Sequence, residues 1–237
     1  MQITGNRTAG WKVRQPDSAH FVGSVFARAA GAMLVATAAA ALVAYNGRLW
    51  DVLFAAWGPT PIGWIVILAP LPLALVFDRN VERMSIEGAR AALWLWSLAI
   101  GASLATFLRA YTEVSIVTTF VGSAAGFGLV AWVGLFAHGN MHRLGMFGVA
   151  AMLGTLVVLL LNTLMGVEPI ATLLALVGMI VFTGLAAYDI ERLQRLYEGG
   201  AVTAGAEAKF ATLGALTLSL DFLNLILSAL RLTARRR

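Results

Sequence analysis

The chain has 237 residues, of which 59% are hydrophobic and 12% charged, with a mean hydropathy of +0.82, a formal net charge of +5 and no cysteine. A soluble domain carries about 25% charged residues, so about half the charge needed to face water on every side is missing, and a soluble fold is excluded. Without cysteine the sequence offers no disulfides, thiolate metal sites or cysteine nucleophiles.

A membrane-crossing helix needs about 20 apolar residues, because the hydrocarbon core is about 30 Å thick and each residue rises about 1.5 Å. Seven charge-poor runs meet or approach this length: 29–45, 59–77, 91–108, 114–137, 144–167, 169–188 and 210–230. Six contain no acid or base, and the seventh contains one, Asp221. Runs such as Leu156–Leu161 do not alternate apolar with polar, which argues against a β-barrel. The expected fold is an all-α integral membrane protein, a seven-helix bundle over residues 25–232. An N-terminal tail (1–24) and a short basic C-terminal tail (233–237) flank it. The first run ends in small residues, as a secretory signal does, but its basic leader is long and six further runs follow.

The basic residues are dispersed at the ends of the runs, which argues against nucleic acid as a partner and for a bilayer. With the N-terminus in the cytoplasm, 11 of the 17 lysines and arginines fall inside and 6 outside. Four of the six lie at the C-terminus (Arg231, Arg235, Arg236, Arg237), so the last run either crosses fully or returns as a re-entrant hairpin. Four of the six prolines (Pro59, Pro61, Pro70, Pro72) mark the second run, where a static kink is favoured over a hinge. In the fourth run Gly122 and Gly126 form a GxxxG, which predicts close helix packing. Trp50, Trp57, Trp64 and Trp132 fall near run ends, as interfacial anchors do. No repeat suggests the inverted halves of an alternating-access carrier.

The informative residues are acids. Asp221 lies mid-run, where a lone carboxylate is costly unless paired or hydrated. Thr217, Asp221, Asn224 and Ser228 recur at steps of 4, 3 and 4, one polar stripe along a helix. Asp189 ends the sixth run, where an interfacial residue is the ordinary expectation. If the two carboxyls meet, they share a proton and titrate as a unit. Such a pair can bind a cation when deprotonated, or activate water as an aspartyl protease does; Asp221 could also serve only to fix helix register.

Phe182-Thr183-Gly184-Leu185-Ala186-Ala187-Tyr188-Asp189, together with Gly214 to Leu232 around Asp221, resembles the paired signatures of the Bax inhibitor-1 (transmembrane Bax inhibitor motif) family. Upstream, Pro61-Ile62-Gly63-Trp64, Ala69-Pro70-Leu71, Arg83-Met84-Ser85, Tyr111-Thr112 with Ser115-Ile116, and Ala125-Gly126-Phe127-Gly128 look like bacterial members in the same order. The resemblance implies a seven-helix fold with the C-terminal helix central, in the bacterial inner membrane. It implies a pH-sensitive calcium leak channel, with Asp189 and Asp221 as pH sensor, gate and weak, transient calcium ligands. An arginine near the end of the second helix is implied as partner of the pair, with Arg79 and Arg83 the nearest candidates. Calcium and protons are then the traffic, with no cofactor, and a membrane protease or stress-response partner is the alternative: a non-conducting regulator. The second-helix glutamate of one branch has no counterpart, since residues 59–77 hold no acid.

A retinal protein would need a mid-membrane lysine, but the only lysines are Lys12 and Lys209, at segment edges. An intramembrane aspartyl protease matches Tyr188-Asp189, yet Leu218-Ser219-Leu220-Asp221 lacks the Gly-x-Gly-Asp partner motif and no later Pro-Ala-Leu occurs. His138 and His142 could offer two metal ligands, but Gly139 favours a solvated loop. With no phosphate loop, serine triad or zinc motif, no enzyme is expected.

Overall fold

The computed structural model describes residues 18–136, 168–200, 202 and 205–233, with residues 148, 150–152, 154 and 158 between them. Helix α1 spans Ser18–Tyr45, α2 Gly47–Leu53, α3 Pro61–Leu68, α4 Pro70–Asn80, α5 Ile86–Ala110, α6 Glu113–Phe136, α7 Glu168–Glu198 and α8 Glu207–Thr233. Two-residue strands β1 (Phe54–Ala55) and β2 (Gly58–Pro59) form a hairpin between α2 and α3. Six segments among the described residues are long and apolar enough to cross a membrane, with α3 and α4 together making one of them. Large apolar side chains stand exposed on these helices, Leu34, Ile65, Val114 and Ile180 among them, as a lipid-facing belt requires.

Several run boundaries shift. Helix α1 begins at Ser18, inside the stretch expected to be a tail, because Phe21, Val22 and Val25 are buried and continue its apolar face past the charges. Helix α7 likewise continues ten residues beyond Tyr188, since Ile190 and Tyr197 are buried on one face while Arg192, Arg195 and Glu198 stand outward. The last run is one continuous 27-residue helix, which rules out a re-entrant hairpin. Pro59 belongs to β2, and the second span starts at Pro61, capped by the Thr60 hydroxyl accepting from Gly63 N at 3.0 Å. The fifth run, 144–167, lies largely outside the described residues. The described part is helical, and a Cβ at Gly148 would lie 2.7 Å from Leu185 Cδ2 of α7. His138, His142 and the tails 1–17 and 234–237 also lie outside the described residues.

The expected kink in the second span falls at Ala69, where α3 ends and Pro70 opens α4, while the backbone of Ala69 itself stays helical. Proline has no N–H, so the carbonyl of Val66, four residues back, loses its helical donor. The Ser103 hydroxyl of α5 reaches that carbonyl at 3.0 Å and also lies 2.8 Å from Ala99 O. A neighbouring helix thus restores a backbone bond that hydrocarbon could not replace.

Helix α8 packs against α1, α4, α5, α6 and α7, and its buried residues point to all sides. Close approach occurs where glycine permits it. A Cβ at Gly101 of α5 would collide with the Ala36 backbone of α1, and one at Gly214 of α8 would lie 2.9 Å from Leu193 and 3.2 Å from Val25. The GxxxG of α6 behaves differently: a Cβ at Gly122 or Gly126 meets no atom within 4 Å among the described residues. Those two glycines line a cavity instead.

At the far end, Arg109 Nε donates to Ala44 O at 2.8 Å and its guanidinium lies 3.7 Å over the Trp50 ring. This ties the end of α5 to α1 and α2.

Candidate functional site

Helices α7 and α8 run antiparallel and bring the two sequence-predicted acids together. Asp189 is half-buried, inside α7 rather than at its end, and Asp221 is buried, with 7% of its surface exposed. Among the described residues no ordinary donor reaches the buried Oδ2 of Asp221. Its polar neighbour is the Asp189 carboxyl, which lies within hydrogen-bonding reach. Two carboxylates have no donor between them, so this contact holds when the pair shares one proton.

The rest of the stripe follows α7 outward. Thr217, one turn before Asp221, donates to Leu213 O at 3.3 Å and faces the same cavity as Asp189. Ser228, two turns after it, is buried against Gly178, whose missing side chain makes room: a Cβ there would lie 2.7 Å from Ser228 Oγ. Asn224 is half-buried between them.

Two cavities flank the pair. The first, about 420 Å³, lies between the ends of α4 and α7 and the start of α8; Asp78, Arg79, Glu82, Asp189, Arg192 and Thr217 are among its walls. Its rim is tied by Lys209 Nζ donating to Glu82 O at 2.9 Å. Of the two candidate arginines, Arg79 lines this cavity with Asp189 and Arg83 does not. Arg192 does so too, and its charge acts on Asp189 from three residues along α7. Sequence reading missed Arg192; the signal was its i+3 spacing from Asp189.

The second cavity, about 450 Å³, lies between α6, α7 and α8 beyond the pair. Its walls are mostly apolar, with Gly122 and Gly126 opening space; Thr118, Thr119, Ser123, Thr183 and Thr233 also line it, but the hydroxyls of Thr118, Thr183 and Thr233 bond to carbonyls of their own helices. It contains no charged side chain among the described residues. Thr183, in the second cavity, and Asp189, in the first, are six residues apart on α7. Thr183 and Asp189 are thus about 9 Å apart along the α7 axis. On α8, Asp221 falls between Thr217 of the first cavity and Leu225 of the second.

Near the first cavity, Glu191 is buried and its Oε2 lies 2.6 Å from Arg195 Nη2, one turn on, so this acid is neutralised within its own helix. No three acids or histidines converge on a common point among the described residues.

The family model described as inhibitor of apoptosis-promoting Bax1 matches residues 18–237. The chain is 32% identical over 173 residues to the inner membrane protein YbhL of Escherichia coli K12, covering 73% of this chain and 74% of the relative. It is 30% identical over 181 residues to the uncharacterized protein RP147 of Rickettsia prowazekii, covering 75% of each. An uncharacterized protein of Deinococcus radiodurans is 32% identical over 168 residues, 70% of this chain and 72% of the relative.

Proposed function

Because the chain belongs to the Bax inhibitor-1 family, we propose that it is a pH-sensitive calcium leak channel of the inner membrane, with Asp189 and Asp221 as its gate. The reading takes the fold as seven helices around α8, with the N-terminus in the cytoplasm. The observation that carries it is the carboxyl pair on facing turns of α7 and α8, at a level between the residues that line the two cavities.

The physical sequence is as follows. Calcium enters the charged cavity, where Asp78, Glu82 and Asp189 attract it and Arg79 and Arg192 keep it from being trapped. Proton and calcium compete for the same carboxyl oxygens. Protonation removes the negative charge that holds the ion, so calcium occupancy falls on acidification. Loss of the shared proton places two like charges side by side, and the pair separates toward Arg79, Arg192 or the ion. Separation moves α8 against α7 and joins the cavities. Transport without bond chemistry makes the protein a conduit and not an enzyme, and no cofactor takes part.

A second reading is a non-conducting regulator that binds a membrane protease or stress-response partner. It is favoured by the absence of any acid on the second span before Asp78. Purified protein in calcium-loaded liposomes separates the two. Wild-type flux is expected to vary with pH, and Asp189→Asn and Asp221→Asn to abolish that variation. Equal, pH-independent flux in all three would sink the channel, and co-purification with a membrane protease would then carry the regulator. Cleavage of a membrane peptide, lost with either substitution, would revive the protease.

A further inference from the structure

Residues 47–60 join the first span to the second without crossing the membrane themselves, as the short helix α2 followed by the β1–β2 hairpin. They lie at the end of the molecule opposite the charged cavity. They lead into the second span at Pro61, whereas Asp78 and Arg79, at the other end of the same span, wall that cavity.

The segment is packed rather than loose. Leu53 and Phe54 are buried with Val43 and Ala44 of α1 and Ala105 of α5, and Trp50 lies against them beneath Arg109. The Thr60 hydroxyl donates to Val52 O at 2.6 Å, Thr60 N donates to Leu53 O at 2.9 Å, and a Cβ at Gly63 of α3 would collide with the same Leu53 oxygen. Ala55 pairs with Gly58, whose φ of +140° closes the turn, so Ala56 and Trp57 form the hairpin tip.

The outer surface of the segment mixes two kinds of side chain. Leu49, Val52 and Trp57 are exposed, Trp57 to 90%, and Arg48 and Asp51 are exposed among them. Water would leave large apolar groups uncovered on a rigid element. Hydrocarbon would strand the two charges and the unpaired outer edges of a two-stranded hairpin. The layer of headgroups and glycerol between water and hydrocarbon accepts both kinds, and tryptophan is favoured there because its ring is apolar and its N–H needs a partner. The surface also continues the lipid-facing belt, since Leu42 and Tyr45 before it and Ile62 and Ile65 after it are exposed as well.

We propose that residues 47–60 form an interfacial element, seated in the phospholipid headgroup layer of the leaflet away from the charged cavity, with Leu49, Val52 and Trp57 entering the glycerol level. Trp57 is its anchor in lipid, while Trp50 serves the bundle.

The chain has no cysteine, so a single introduced one carries the only spin label. Full-length Val52→Cys and Trp57→Cys, labelled with a nitroxide and reconstituted in vesicles of phosphatidylethanolamine and phosphatidylglycerol, are compared with two references. Leu34→Cys is exposed midway along α1, and Gly205→Cys is exposed in the connection between α7 and α8. Collisions with oxygen, which concentrates in hydrocarbon, and with a water-soluble nickel chelate give the depth of each label. The labels at 52 and 57 should lie between the references, several-fold less open to nickel than the label at 205 and several-fold more than the label at 34. Thermal unfolding midpoints near that of the wild type report that the labelled variants fold. Nickel access at 52 and 57 equal to that at 205 would overturn the proposal by placing the segment in water. So would low access to both reagents, which a second copy seated on the segment would give.

Discussion

The two cavities that flank the aspartates are nearly equal in volume and opposite in character. The one at the α4 end carries carboxylates and guanidinium groups, whereas the one at the far end is mostly apolar, opened by glycines. A charged chamber concentrates ions and offers them exchangeable partners; an apolar chamber does not draw ions in. In the proposed channel, ions and protons would therefore reach the pair from the charged side, and the second chamber would matter only once the barrier opens. The difference also separates two kinds of residue, those that set what is attracted and those that set how much can pass.

That separation can be broken experimentally. The largest effect is expected from Asp221→Asn, which removes the buried half of the pair: the pH dependence of liposome calcium flux should vanish, and a retained dependence would place the sensor elsewhere. Next, Gly122→Leu puts a side chain into the apolar chamber, and should lower flux at every pH several-fold without moving its midpoint. A shifted midpoint would mean that the two chambers are not separate in function. Arg79→Ala should move the midpoint, whereas Arg83→Ala, outside the charged chamber, should leave it in place; the reverse result would reassign the arginine. For stability, Gly101→Ala drives a methyl into the Ala36 backbone and should cost about 1–3 kcal/mol, while Gly122→Ala, facing open space, should cost little. Thermal unfolding of the two variants measures that contrast.

Much of the site was legible in the sequence because hydrocarbon is an unforgiving solvent. An acid at position 221 needs a reason, and the 4-3-4 spacing of Thr217, Asp221, Asn224 and Ser228 supplies a face for it. The structure puts that face against α7, with Ser228 filling the space left by Gly178. Less legible was where helices end. Counting charge-free residues stops α7 at Tyr188, but amphipathic residues carry the helix on to Glu198, which turns Asp189 from a terminal residue into an internal one and brings Arg192 into the chamber. The GxxxG shows a related limit: small residues permit close approach without requiring it, and among the described residues Gly122 and Gly126 line a cavity and meet no neighbour.

The kink at Pro70 has a consequence for how this sequence can change. Ser103 is needed at Val66 only because residue 70 has no N–H. Pro70→Ala would restore the donor within the span and release Ser103, so Ser103→Ala should be harmful in the natural background and nearly neutral in the Pro70→Ala background. The order of substitution then matters. A lineage can lose the serine safely only after losing the proline, although the two residues lie 33 positions apart on different helices.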